Sequence, residues 1–306
     1  MPTTAFLFPG QGAQRVGMGR DAYDASAAAR AVFDEVDAVL GAELSKIVLE
    51  GPEDELVRSH NAQPAILAVS IALLETMRER LGKRMPVPSH AAGHSLGEYT
   101  ALVAAGALDV AAAAKLVRRR GELMQRAADA IPSGMAALLG LTLDKAEEAC
   151  AGTGAQVANA NSAEQVVIAG EWAVLERAID RAKEAGARRA IPLEVAGAFH
   201  TEVMRPAQDE LNEALAELNL RAPAIPVIAN TSGLPLTTVE GIREELGRQL
   251  CGCVYWQRSV EYMAAQGVDR FMEIGPGNVL TGLVKRIARD AAAVSVADLD
   301  GLSALT

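Results

Sequence analysis

The hexapeptide Gly93-His94-Ser95-Leu96-Gly97-Glu98 matches the pattern Gly-X-Ser-X-Gly and follows a small, mostly uncharged run from Val87 to Ala92. The pattern predicts a nucleophile elbow, in which a strand ends, the chain turns sharply at Ser95 and a helix begins. Gly93 and Gly97 suit such a turn because a Cβ at either position would collide with the neighbouring strand or helix. Ser95 would then stand at a helix N-terminus, where unpaired N–H groups point at whatever reacts there. Glu98 to Ala105 reads as that helix, with Gly106 as its stop. Pro88 and His90 interrupt the apolar run of the preceding strand, and a surface Gly-Ser turn is the competing reading of the pentapeptide by itself.

Outward from the elbow, strands and helices alternate. Thr3 to Pro9 is a buried-strand pattern ending in the turn Gly10-Gln11-Gly12-Ala13-Gln14, where backbone can approach a ligand closely; an ordinary strand-to-helix turn fits the same residues. Helical patterns cover Ala27 to Val39, Gln63 to Leu81 with Pro64 in its first turn, and Val110 to Ala127. His60 and Gln63 flank a helix start, which a cap or a buried hydrogen bond explains. Arg118, Arg119 and Arg120 cannot share one helix face, since successive positions turn by about 100°. The rhythm then changes. A strand from Gly134 to Leu141, a helix from Leu143 to Cys150, strands at Ala155 to Asn159 and Gln165 to Ile168, a helix from Trp172 to Glu184 and a strand from Arg188 to Val195 give the order β-α-β-β-α-β of a ferredoxin-like unit. Beyond it come helices at Glu202 to Leu218, Val239 to Leu250, Gln257 to Ala265 and Val279 to Arg289, with strands at Ile225 to Ala229 and Arg270 to Ile274. The expected class is α/β: a hydrolase-like main domain with a parallel sheet over residues 1–130 and 197–306, carrying an inserted ferredoxin-like small domain at 131–196. Reactive loops gather at the carboxyl ends of the strands in such a sheet.

Composition bounds the function. The 306 residues are 50% hydrophobic, enough for a large core, and only 4% aromatic, so close helix packing carries much of the interior. A formal charge of -10 argues against a general nucleic-acid binder. Cys150, Cys251 and Cys253 form neither a disulfide framework nor a zinc spacing. The pair Cys251-Gly252-Cys253 reads as local packing, against a redox or metal role. No run of 18 apolar residues and no secretory layout is present, so a soluble, cytoplasmic chain with no membrane association is expected, working as a monomer.

A serine nucleophile needs a base, and four histidines are available: His60, His90, His94 and His200. His94 adjoins Ser95, where its side chain would diverge, and His90 lies in the strand before it. In hydrolase-like sheets the base follows the nucleophile in chain order, which leaves His200. A cap of the following helix is the alternative role for it. No Asp or Glu stands out to orient the imidazole, and a backbone carbonyl or amide oxygen can accept its other N–H.

Phe8-Pro9-Gly10-Gln11-Gly12, the elbow hexapeptide, Arg120-Gly121, Gly197-Ala198-Phe199-His200 and Glu273-Ile274-Gly275-Pro276-Gly277, in that order, resemble the malonyl-CoA:acyl carrier protein transacylase family over about residues 5 to 290. The resemblance implies an acyltransferase of fatty acid synthesis with Ser95 as the acylated nucleophile and His200 as its general base and acid. It implies backbone N–H groups of Gln11 and Leu96 as the oxyanion hole, Arg120 for the malonyl carboxylate, and Gln249 accepting the imidazole N–H through an oxygen. Asn161, Phe199 and Met124 would line the substrate channel, and Leu96 and Phe199 resemble the residues of malonyl-selective members. No metal or redox cofactor has a task in such chemistry. The implied partners are a coenzyme A thioester and an acyl carrier protein, which would dock on a local basic patch such as Arg188-Arg189 with Lys285-Arg286. Rival roles are a malonyltransferase acting in trans on a polyketide synthase or in malonate decarboxylation, a serine thioesterase, and a catalytically silent scaffold. The orientation of Glu202, near His200 in sequence, is left open.

Overall fold

A computed structural model describes residues 3–305. Its strands are β1 (Thr4–Phe8), β2 (Pro88–Gly93), β3 (Ser133–Leu139), β4 (Gln156–Ser162), β5 (Gln165–Glu171), β6 (Arg189–Pro192), β7 (Val227–Ile228), β8 (Pro235–Leu236), β9 (Arg270–Ile274) and β10 (Ala292–Val296). They form two sheets. The larger runs β10-β9-β1-β2-β7-β8 and is parallel except where β8 turns back on β7. The smaller runs β4-β5-β3-β6 and is antiparallel throughout.

β1 is buried along its whole length, as expected of a strand covered on both faces by crossover helices. Its register with β2 puts Phe8 beside Gly93, and the His94 N–H donates to the Phe8 carbonyl at 3.1 Å. The turn after β1 and the elbow after β2 therefore leave the sheet side by side, which brings Gln11 to Ser95. β2 forms despite its proline because Pro88 is its first residue, where a missing donor is tolerated.

The small sheet splits its residues by the two-residue alternation of a strand. Ala136, Leu138, Val166 and Ile168 pack under the helices Leu143–Cys150 and Trp172–Glu184. Met135, Ala137, Val167 and Ala169 face the other way and join the main core. An isolated bridge between Asn159 and Val254, with Ala160 N–H donating to the Val254 carbonyl at 2.9 Å, pins β4 to the segment following Gln249.

Several elements differ from the sequence expectation. The long helix starts at Ser59, not Gln63, so Pro64 lies inside it rather than in the first turn. The carbonyl that Pro64 cannot satisfy, that of His60, accepts from Arg118 Nη1 at 3.3 Å instead. The expected helix from Glu202 is a 3-10 turn, Glu202–Met204, followed by a helix Arg205–Ala216 with Pro206 in its first turn. β8, β10 and the short helices Arg20–Ala25, Leu44–Glu50, Glu53–Leu56 and Leu299–Ser303 had no counterpart in the sequence reading. The helix expected to Arg289 ends at Ile287, which frees the chain to form β10.

Candidate active site

Ser95 sits at the N-cap of the helix Leu96–Ala104 with φ 52° and ψ -104°. The turn is possible because its flanks are glycines. A Cβ on Gly93 would lie 1.9 Å from Gly97 backbone, and one on Gly97 would lie 2.1 Å from the Phe8 carbonyl oxygen. Among the described residues only two that are not glycine have positive φ: Ser95, and His200 at 62°. Backbone strain of that kind collects at functional sites, and here it marks two side chains in contact.

His200 Nε2 lies 2.7 Å from Ser95 Oγ, and Nδ1 lies 2.9 Å from the Gln249 carbonyl oxygen. A carbonyl can only accept, so Nδ1 carries the hydrogen and Nε2 presents its lone pair to the serine hydroxyl. Burial, and next the positive charge of Arg120, push the His200 pKa down to about 3, so the imidazole is neutral near neutral pH. The oxygen expected of Gln249 is thus its backbone carbonyl. The Gln249 side chain is engaged elsewhere: Nε2 donates to the Ser95 carbonyl at 2.9 Å and to Glu98 at 2.5 Å, and Oε1 accepts from Arg120.

Of the three consecutive arginines, Arg120 is the inward one, 1% exposed, while Arg118 bonds Asn61 and Arg119 bonds Glu210. Gly121 lets its helix, Val110–Ala130, come that close to the helix Ser59–Leu81, since a Cβ there would lie 2.5 Å from the Ser59 carbonyl oxygen. Arg120 Nη1 donates to Gln63 Oε1 at 2.8 Å; Nη2 donates to Gln249 Oε1 at 3.0 Å and to Ser95 Oγ at 3.1 Å. The guanidinium carbon lies 5.3 Å from the Tyr99 ring centroid. None of the three acceptors is a carboxylate.

A cleft of about 670 Å³ opens over Ser95 between the two sheets, lined by Gln11, Met124, Asn161, Phe199 and His200 among others. Met135, Ala137 and Val167 of the small sheet roof it. Asn161 Oδ1 lies 2.9 Å from His94 Nε2, tying the small sheet to the elbow, and His94 turns away from Ser95 toward Trp256. Leu96 is the first residue of its helix, so its N–H has no carbonyl within the helix to bond. Glu202 pairs with Arg205 at 2.6 and 2.9 Å rather than with His200. A separate concavity of about 520 Å³ touches His200 from another side and is lined by all three cysteines. Burial raises their thiols to about 11 at Cys150 and Cys251 and about 12 at Cys253, which suits packing rather than reaction.

Three residues behind the elbow were given no part in the site from sequence, although Gln63 was noted beside its helix start. Asn230 accepts from Ser95 N–H at 2.7 Å and donates through Nδ2 to the Gly93 carbonyl at 2.7 Å, clamping both sides of the turn. Glu98, fully buried, accepts from Asn230 N–H and from Gln249. Burial, then the nearby Glu245 carboxyl, push its pKa well above the ordinary value. Gln63 holds Arg120. The position of Asn230 just past the carboxyl end of β7 is the signal that could have found it.

A family model described as the acyl transferase domain matches residues 5–303. The chain belongs to this acyl transferase family. It is 45% identical over 305 residues to the malonyl CoA-acyl carrier protein transacylase of Bacillus subtilis, covering 97% of this chain and 94% of that one. The Escherichia coli K12 protein of the same name is 45% identical over 291 residues, covering 94% and 93%. Among solved family structures, an acyl carrier protein S-malonyltransferase from Vibrio cholerae superposes with a TM-score of 0.96 at 44% identity, covering 99% of this chain and all of that one. A malonyl-transacylase solved in complex with the acyl carrier protein of a type II polyketide synthase gives 0.93 at 42% identity, with 98% of each chain covered.

Proposed function

We propose that this chain transfers a malonyl group from coenzyme A, through an ester on Ser95, to the phosphopantetheine thiol of an acyl carrier protein. The observation that carries the reading is Arg120. A cation that is 1% exposed and bonded only to neutral oxygens has lost water without a carboxylate bonded in its place. A substrate carboxylate supplies it, and acylation of Ser95 Oγ frees one Nη2 hydrogen to help receive it. A planar guanidinium fork matches a carboxylate better than any other side chain does.

In the mechanism, His200 Nε2 takes the hydroxyl proton as Ser95 Oγ attacks the thioester carbonyl. The tetrahedral oxyanion is received by the backbone N–H groups of Leu96 and Gln11. The coenzyme A thiolate leaves as the thiol with the proton that His200 held. The carrier thiol then gives its proton to the same Nε2 and attacks the ester, and Ser95 is regenerated. The carboxylate on Arg120 offsets the charge that helps depress the His200 pKa, so the base strengthens as substrate binds. Phe199 and Met124 shape the acyl pocket, and Asn161 lines the way in.

The small sheet, with order β4-β5-β3-β6 over a β-α-β-β-α-β chain path, supports a ferredoxin-like unit. The elbow leaving a parallel sheet supports a hydrolase-like main domain. We take 1–130 and 197–306 as that main domain and 131–196 as the insertion. The carrier docks near the cleft mouth: Arg188 bonds Glu164 at 2.5 Å and Arg286 bonds Gln165 at 3.1 Å, so the two proposed basic clusters meet at one turn. We place this transfer in fatty acid synthesis, carried out in the cytoplasm by a monomer. Service to a polyketide carrier is the second reading, favoured by the complex that superposes at 0.93. Among the described residues no helix is long and apolar enough to cross a membrane.

Intact-mass spectrometry tests the core of the reading. Malonyl-CoA is expected to add one malonyl group to the wild type and none to Ser95→Ala, and a phosphopantetheinylated carrier is expected to remove it. An adduct lost only to water would instead identify a thioesterase.

A further inference from the structure

Gln63 is fully buried in the helix Ser59–Leu81 and touches three parts of the site at once. Its Oε1 accepts from Arg120 Nη1 at 2.8 Å, and its Nε2 reaches Met124 Sδ at 3.1 Å and Gln11 Oε1 at 3.4 Å. Gln11 in turn donates through its own Nε2 to Ser59 Oγ at 3.0 Å. We infer that Gln63 is a positioning residue that couples the guanidinium reading the acyl carboxylate to the Gln11 turn receiving the oxyanion, and so sets the preference for carboxylate-bearing acyl groups. The inference rests on the malonyl transfer proposed above.

The polarity of an amide makes the coupling directional. Arg120 is a donor only, so it fixes Oε1 toward itself and Nε2 toward Gln11 and Met124. Among the described residues Arg120 Nη1 has no other acceptor, whereas Nη2 has two. Without Gln63 the guanidinium is held along one edge and can pivot about it. The plane of a two-donor fork then no longer matches the plane of the carboxylate. Loss of the same side chain also leaves Gln11 Oε1 without its donor, loosening the turn that carries the Gln11 N–H.

The test measures acylation by malonyl-CoA and acetyl-CoA in the wild type, Gln63→Met, Gln63→Glu, Arg120→Ala and the double variant Gln63→Met with Arg120→Ala. Methionine keeps the length and lack of branching, so the helix and its packing should survive. Gln63→Met is expected to raise the malonyl-CoA KM by on the order of ten- to a hundredfold, the weight of one hydrogen bond to a charged group. Acetyl-CoA should change by only a few-fold. In the Arg120→Ala background the malonyl-specific loss should vanish. Gln63→Glu keeps an acceptor on Arg120 but offers it a carboxylate, so it should also raise the malonyl-CoA KM while melting no lower than wild type. Equal losses for both thioesters in Gln63→Met, or losses that simply add to those of Arg120→Ala, overturn the coupling. A wild type that forms no malonyl ester overturns the proposed function instead.

Discussion

Arg120→Ala should separate substrates by charge. On the proposed reading the malonyl carboxylate meets a buried fork in the wild type; in the variant it enters a site where the acceptors Gln63 Oε1 and Gln249 Oε1 face it instead. Truncating one member of a buried charge pair costs about 2 to 5 kcal/mol, and each 1.4 kcal/mol is about tenfold. Malonyl-CoA acylation should therefore slow by roughly thirtyfold to several thousandfold in kcat/KM. Acetyl-CoA has no carboxylate to strand. It loses only the bond from Nη2 to Ser95 Oγ, 3.1 Å long, worth about 1.5 to 3 kcal/mol at most. Malonyl-CoA loses that bond as well, so it cancels in the ratio, and the malonyl-to-acetyl ratio should fall by the share of the carboxylate, roughly thirtyfold to several thousandfold, read by rapid-quench mass spectrometry of the Ser95 ester with each thioester. Arg120→Lys should lie between, because a single ammonium cannot span Gln63, Gln249 and Ser95 together. A ratio unchanged in Arg120→Ala would refute the assignment of the carboxylate to this residue, whatever the absolute rates.

His200 makes stability depend on pH. Its folded pKa of about 3 lies below the unfolded value of 6.5, so its contribution is present above pH 6.5 and is lost as pH falls toward 3, at up to about 1.4 kcal/mol per unit; denaturant melts of wild type and His200→Gln between pH 4 and 7 should differ in slope. Because Arg120 is one cause of that depression, Arg120→Ala should raise the His200 pKa seen by histidine NMR, and an unmoved resonance would remove Arg120 from the account. Gly97→Ala places a Cβ 2.1 Å from the Phe8 carbonyl oxygen, and thermal melting should show a loss above about 4 kcal/mol or no soluble protein. Asn230→Ala should slow acylation with malonyl-CoA and acetyl-CoA alike, by about ten- to a hundredfold, since it braces the elbow and touches no substrate group; a selective loss of malonyl would contradict that role.

The parts of the fold written in local pattern were legible. The elbow, the alternation of β3 and β5 and the long helices each carry a period or a glycine turn that single positions reveal. β10 was not legible because Ala292 to Val296 is a short, weakly apolar segment that becomes a strand only by pairing with β9. The start of the helix Ser59–Leu81 was misread because a proline marks first turns. Here the carbonyl it orphans finds Arg118, a partner 58 residues away in sequence. The inward turn of Arg120 was expected only from family resemblance, since three adjacent arginines give no local reason to choose one. Gly121, as the contact point with Ser59, supplies that reason in three dimensions.

Asn230 escaped the sequence, and Gln63 and Gln249 were named there without the bonds that join them into one layer of amides behind the reacting groups; the strain of the site explains why that layer is there. Ser95 and His200 each hold a left-handed backbone conformation that costs about 1 to 3 kcal/mol. Neither would persist if its neighbours could relax. Asn230 holds the carbonyl of Gly93 and the N–H of Ser95, so the turn cannot unwind without breaking both bonds. Gln249 holds the Ser95 carbonyl with its side chain and the His200 ring with its backbone, so the two strained residues share one anchor. The same Gln249 amide accepts from Arg120, and Gln63 closes the opposite edge of the guanidinium. Neutral amides suit the task where carboxylates would not. On the proposed reading, a carboxylate in either place would neutralise Arg120 in advance and leave the substrate's own charge nothing to meet, which is why the groups that bond the guanidinium would have to be polar and uncharged.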